Sequence, residues 1–141
     1  MSQSLGAEVE LPMAFAAAKD ATRDALKAEG FGILTEIDLQ AAFKEKLGRD
    51  FRPYVILGAC NPPLAFAAVT ADPAIGLLLP CNVTVEARDE THTVVRLVDP
   101  QMMLASAAGG LAPELKQVAD DASARMQRVL AVLREAKGTA S

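Results

Sequence analysis

The sequence predicts an α+β domain with helices packed on one face of a sheet. Three observations carry this. Short apolar runs alternate with segments whose apolar residues recur every three or four positions, so strand and helix patterns interleave. Residues 83–87 and 92–97 flank the polar turn Arg88-Asp89-Glu90-Thr91, the pattern of a β-hairpin, which requires antiparallel pairing and leaves the sheet at best mixed. Finally, Leu111, Leu115, Val118, Ala122, Met126, Val129 and Leu133 make one stripe in steps of three and four, a long C-terminal helix starting near Pro113.

The remaining elements follow in order. Residues 7–11 alternate loosely and suit a first strand, and Pro12 suits the first turn of a helix, where its missing N–H is harmless. Phe15, Ala18, Thr22 and Leu26 then define an amphipathic helix over 13–29, stopped by Gly30, which takes the left-handed conformation without strain. Residues 31–37 read as a buried strand. Asp38 is a good N-cap for a short helix carrying Leu39, Phe43 and Leu47, with Gly48 ending it. Tyr54-Val55-Ile56-Leu57-Gly58-Ala59 is continuously apolar and reads as the central strand, covered on both faces. Asn61 followed by Pro62 opens another helix to about Thr70, and Asp72-Pro73 closes it. Pro80 stops the short run Leu77-Leu78-Leu79, and Asp99-Pro100 breaks the second hairpin strand. Residues 105–113, rich in Ala, Ser and Gly around Gly109-Gly110, read as a mobile connection or a frayed helix. We expect one domain over 1–137 and a disordered tail over 138–141.

Composition narrows the function classes. The chain has 141 residues, 51% apolar and 23% charged, enough for one real core. Its net charge is −4, its lysines and arginines are scattered, and it has only five Phe and one Tyr, so it carries no electrostatic footprint for nucleic acid. No run approaches the roughly 18 apolar residues of a membrane span. The start shows no positive region followed by an apolar stretch, so no signal peptide is expected and the cytoplasm is the default. In that compartment Cys60 and Cys81, the only cysteines, are expected as thiols rather than as a structural disulfide. Two cysteines fall short of a structural zinc set, and neither a resident metal nor a cofactor is expected.

Chemistry is concentrated in two short segments that echo each other, Cys60-Asn61-Pro62 and Pro80-Cys81-Asn82. Cys60 ends a strand where a helix begins, and N–H groups at a helix start favour nearby negative charge, so the thiol could be activated as a nucleophile or a ligand. Equally, free cysteine is among the most buried residue types, and Cys60 could simply pack. Cys81 opens the hairpin and shares a face with Val83, Val85 and Ala87; Asn82 points the other way with Thr84 and Glu86. With a turn at 88–91, Ala87 lies opposite His92, which puts the only histidine roughly 20 Å from Cys81 at a rise of ~3.3 Å per residue and removes an intrachain Cys–His pair. There is no phosphate loop and no serine triad. The Met102-Met103-Leu104 cluster reads as core or interface.

Residues 29–38 (EGFGILTEID), 54–62 (YVILGACNP), 76–83 (GLLLPCNV) and Asp99-Pro100 resemble the signatures of the DUF302 family, in order and over roughly residues 9–104. The resemblance implies a TBP-like fold, a mainly antiparallel sheet backed by helices, and a tendency to form homodimers. It implies no activity and, in this acidic chain, no DNA binding. It places the family's paired motifs on Cys60, Asn61, Pro62, Pro80, Cys81 and Asn82, a candidate binding corner. Three readings stay open. The first is a small cytosolic homodimeric binding or interaction module, taking a small molecule in that corner. The second is thiol-based: a sulfur carrier, a redox protein, or a handler of soft metals such as Cu(I) through Cys60 and Cys81. The third makes both cysteines purely structural.

Overall fold

A computed structural model describes residues 5–105 and 113–136. The elements run β1 (Gly6–Leu11), α1 (Phe15–Ala28), β2 (Gly32–Asp38), α2 (Leu39–Leu47), β3 (Tyr54–Cys60), α3 (Pro62–Ala71), a 3₁₀ turn (Pro73–Leu78), β4 (Cys81–Ala87), β5 (Thr93–Val98), α4 (Pro100–Ala105) and α5 (Pro113–Ala136). The strands form one sheet in the order β1-β5-β4-β3-β2, every neighbouring pair antiparallel. The expected α+β class, with its antiparallel sheet and long C-terminal helix, is the observed one.

The core lies between one sheet face and helices α1 and α5. Val9 and Leu11 of β1, Val55, Leu57 and Ala59 of β3, Val83 and Val85 of β4, and Val95 and Leu97 of β5 point into it, each a strand position two apart from the next. From the other side come Ala18, Ala25 and Leu26 of α1 and Met126, Val129, Leu130 and Leu133 of α5. Full burial of a side chain such as Leu133 or Val129 contributes about 1.5–3 kcal/mol. The sheet's other face is polar toward β1 and β5. There Glu86 accepts from Arg96 (2.7 Å) and Arg52, Arg96 also reaches Glu8 (3.0 Å), and Arg88 pairs with Glu10. Burial alone would raise the Glu86 carboxyl, but the hydrogen bonds from Arg96 and Arg52 outweigh it and lower its pKa. A smaller second core joins α3, the 3₁₀ turn, α4 and the start of α5 through Ala68, Ile75, Leu104, Leu115 and Ala119.

Local chemistry sets the helix ends. Asp38 accepts from the Ala41 N–H and Gly48 closes α2 in the left-handed region, as expected. The Arg125–Asp121 pair forms along α5 at 2.8 Å. Pro12, in contrast, lies outside α1, which starts at Phe15 without a side-chain cap.

Three strand expectations are corrected. Residues 31–37 are not a buried strand: β2 is an edge strand paired only with β3, and from Gly32 to Asp38 only Ile33 is partly covered, while Phe31 just before it is buried. Its apolar composition hid this, because an edge position is a property of the sheet and not of the strand. β3 is not central; β4 is, and β3 alternates between buried and half-covered positions until Gly58. The hairpin register is one residue longer than expected, with Ala87 facing Thr93 rather than His92. The turn takes in His92, whose Nδ1 meets Asp89 at 3.0 Å. The helix α4 follows Asp99-Pro100 at once: the Asp99 side chain accepts from the Gln101 N–H (2.9 Å), so the strand break is also a helix start. The connection 106–112 and the tail 138–141 lie outside the described residues.

Candidate functional site

The two echoing segments meet at one end of the sheet. Ala59 of β3 pairs with Cys81 of β4, so Cys60 stands one residue beyond the rung that holds Cys81. Both cysteines are free thiols. They border a cavity of about 240 Å³ between the sheet end and the second core. Its walls come from Phe31, Leu34 and Ala59-Cys60-Asn61 on the strand side, Leu64, Ala65 and Ala68 of α3, and Leu79-Pro80-Cys81 at the start of β4. Pro100, Met103 and Leu104 at α4 and Val118 and Ala122 of α5 complete it. Among the described residues that line it, Asn61 alone has a side chain carrying oxygen or nitrogen.

Four of the six candidate residues therefore share this wall: Cys60, Asn61, Pro80 and Cys81. Pro62 is exposed on the first turn of α3, outside the lining. Asn82 is exposed and, at the rung Gly58–Asn82, faces away from the core, as its strand parity predicts.

The strands are shaped around this corner. Ile33 pairs with Ala59 and Thr35 with Gly58, so Leu34 is the extra residue of a β-bulge. A bulge re-aims a side chain, and Leu34 is turned onto the cavity wall while remaining 66% exposed, which puts it at the mouth. Gly58 is required by close approach. A Cβ there would lie 2.2 Å from Thr35 Oγ1 and 2.9 Å from Pro80 Cγ, so the bulged strand and the proline closing the cavity both occupy the space a side chain would need. The peptide before that proline, Leu79–Pro80, is cis.

Asn61 is committed to structure at both ends of its amide. Its Oδ1 accepts from the Leu64 N–H (3.3 Å) as the N-cap of α3, and its Nδ2 donates to the Glu29 carbonyl (3.4 Å). The same carbonyl accepts from Arg125 Nη1 of α5 (2.9 Å), and Arg128 holds the Glu29 carboxylate (2.9 Å). Gly30, at φ +83°, carries the chain past this knot; a Cβ there would come within 2.8 Å of Asn61 Nδ2.

This capping changes what the helix start offers Cys60. Pro62 and Pro63 have no N–H, Leu64 N–H goes to Asn61 Oδ1, and Ala65 N–H goes to the Asn61 carbonyl (2.9 Å). Two N–H groups of the helix start are missing and the Leu64 N–H is taken, so little of the pull on a nearby anion anticipated from helix placement is left here. The signal was readable in Asn61-Pro62-Pro63 itself. Cys81 is 7% exposed, and burial, followed by the proximity of Cys60, pushes its thiol up to about 11. It is protonated at neutral pH. His92 lies at the far end of the hairpin beside Asp89 and takes no part in this corner.

Met103, Leu104, Leu34 and the α3 and α5 contributors were not among the sequence candidates. Met103 and Leu104 had a signal, since the Met102-Met103-Leu104 cluster stood out as core or interface. Met103 packs against both cores, and Leu104 is buried. No group of three or more His, Cys, Asp and Glu side chains suited to a metal ion occurs among the described residues.

Fold and corner together define a class: a single α+β domain whose antiparallel sheet carries an apolar, thiol-lined cavity at one end. The model of the family described as "Domain of unknown function DUF302" matches residues 7–133, and the chain belongs to that family. A solved relative, an uncharacterized conserved DUF302 protein from Bacillus stearothermophilus, superposes with a TM-score of 0.77 at 28% identity, over 94% of this chain and 98% of its own. A search of curated proteins finds no match.

Proposed function

We propose that this protein is a small binding module that takes an apolar ligand into the cavity at the Cys60–Cys81 corner. The observation that carries the reading is the cavity itself: about 240 Å³, bordered by Cys60, Asn61, Pro80 and Cys81 of the paired motifs and almost without polar atoms. Ligand sites are concave, mostly apolar and few per protein. An apolar cavity of about 150 Å³ holds benzene, so this one suits a compact molecule somewhat larger than that. The protonated Cys81 and the spent helix start favour binding over nucleophilic catalysis.

The reading includes a homodimer in a reducing compartment such as the cytoplasm. Helix α3 has no charged residue, yet Phe66 is 75% exposed and Val69 also faces solvent, with Leu77 89% exposed on the following turn. A surface helix normally turns a polar face to water, so this stretch suits a partner copy. The two free thiols suit a reducing environment.

Amide chemical shifts recorded during titration with indole and with naphthalene test the ligand reading. The expected shifts map to Cys60, Leu64, Ala65, Cys81 and Leu104, and Ala65→Phe, which fills the cavity, abolishes them. Shifts confined to the exposed Phe66 and Leu77 surface, or none, would overturn it.

A further inference from the structure

We propose that the ligand of the corner cavity is a single-chain amphiphile, an alkyl or acyl chain that lies in the cavity and leaves one polar end in water beside Leu34. The inference rests on reading this corner as a binding pocket. It names the chemical class the pocket takes and the residue that meets the ligand's polar end.

The interior admits only the apolar part of a ligand. Among the described residues that line the cavity, no side chain carries a charge or a hydroxyl. The Asn61 amide is already committed, its Oδ1 accepting from the Leu64 N–H (3.3 Å) and its Nδ2 donating to the Glu29 carbonyl (3.4 Å). The other side-chain heteroatoms are the sulfurs of Cys60, Cys81 and Met103, which are weak hydrogen-bond partners. A polar group drawn inside would lose its hydration and gain little in return. A ligand that arrives through water carries at least one polar group, and that group has to stay outside. Size follows from volume. If a cavity of about 150 Å³ takes the six carbons of benzene, one of about 240 Å³ takes a chain of roughly eight to ten.

The way out is at Leu34. It is the exposed member of the described lining, at 66%, whereas Phe31, Ala68, Cys81 and Leu104 around it are buried. Strand pairing sets it there. Ile33 lies opposite Ala59 and Thr35 opposite Gly58, which makes Leu34 the extra residue of the bulge, and β2 is an edge with no strand on its other side. Thr35 Oγ1 fills the space beside Gly58, 2.2 Å from where a Cβ would stand, and so holds the bulge in register. Bulges beside sites re-aim side chains, and this one places a leucine half on the cavity wall and half in water. Leu34 covers the last carbons of the chain, and the polar end emerges next to it along the free edge of β2.

The test is the ratio of octanoate to 1-octanol affinity, measured by amide-shift titration at low salt and neutral pH, where octanoate is ionised. Leu34 is exposed, so Leu34→Lys and Leu34→Glu keep the fold, which circular-dichroism melting curves check. The ratio cancels the loss of the leucine's own contacts. It should rise about threefold in Leu34→Lys and fall about threefold in Leu34→Glu, as a unit charge a few ångströms from the carboxylate produces in water. Ile37→Lys, also exposed on β2 but off the cavity wall, should leave the ratio at its wild-type value. The diol 1,8-octanediol, polar at both ends, should bind wild type roughly tenfold or more weakly than 1-octanol. An unchanged ratio in both Leu34 variants, a change matched by Ile37→Lys, or a diol that binds as tightly as 1-octanol overturns the proposal. Indole and naphthalene are titrated alongside. Shifts retained with them in that case leave the apolar-ligand reading standing, whereas shifts lost for every probe remove both, so the two fail separately.

Discussion

At the scale of the residue, Cys60 and Cys81 show how little a shared motif says about a shared role. Cys81 sits on the core face of β4, and burial with Cys60 alongside raises its thiol from 9.0 to about 11. Cys60, one residue past the facing rung, stays half-buried at the cavity wall. The shift has a consequence for stability. A group whose folded pKa is raised stabilises the fold fully below its unfolded value and loses that contribution as pH climbs through the folded one. For Cys81 the window is pH 9 to 11, and the loss is roughly 2–3 kcal/mol. Urea unfolding of wild type and Cys81→Ala at several pH values across that window isolates it. The wild-type curve should fall toward the variant's as pH rises; parallel curves would show that Cys81 titrates normally.

At the scale of the element, helix α3 depends on a residue whose sequence context announced only half its work. Asn61 was legible as an N-cap from Asn-Pro, and it is one. Its second bond, to the Glu29 carbonyl 32 residues earlier, ties the end of α1 to the start of α3 beside Arg125 of α5. Asn61→Ala should therefore cost about 1–2 kcal/mol in thermal or urea unfolding. Asn61→Asp keeps the capping oxygen and loses the donor, so its cost should fall between; an Ala variant no worse than Asp would remove the cap from the account. Element types follow the same division. Hydrophobic period and caps identified α1, α2, α3 and α5, because those signals are local. The short α4 hid behind Asp99-Pro100, which reads equally as a strand stop or a helix start. The bulge at Leu34 had no signal either, since it arises where β2 fits past Gly58 and Pro80.

At the scale of the whole molecule, the sheet leaves β1 and β2 as edges and leaves α3 with an apolar outer side. Light scattering on the purified chain should give twice the 14.8 kDa protomer mass at micromolar concentration, and Phe66→Glu should return it to one. A wild-type chain that scatters as a monomer would remove the homodimer. The cavity is also a whole-molecule feature. Its walls come from segments as far apart in the chain as Phe31 and Ala122, and only the order β1-β5-β4-β3-β2 with α3, α4 and α5 stacked at one end brings them together.

Taken alone, the sequence determined the α+β class, most of the helices with their caps, the antiparallel hairpin, and the family to which the paired Cys-Asn segments belong. These rest on periodicity and turn chemistry, which act over a few residues and are written in the chain directly. The tertiary structure alone decided which strand is central, that β2 is an edge, that Asn82 and Pro62 stand apart from Cys60 and Cys81, and that Met103 joins them. Those are matters of neighbourhood. A strand's pattern says which of its faces is apolar, but its place in the sheet, and the sulfur that arrives from another helix, depend on the packing of the entire chain.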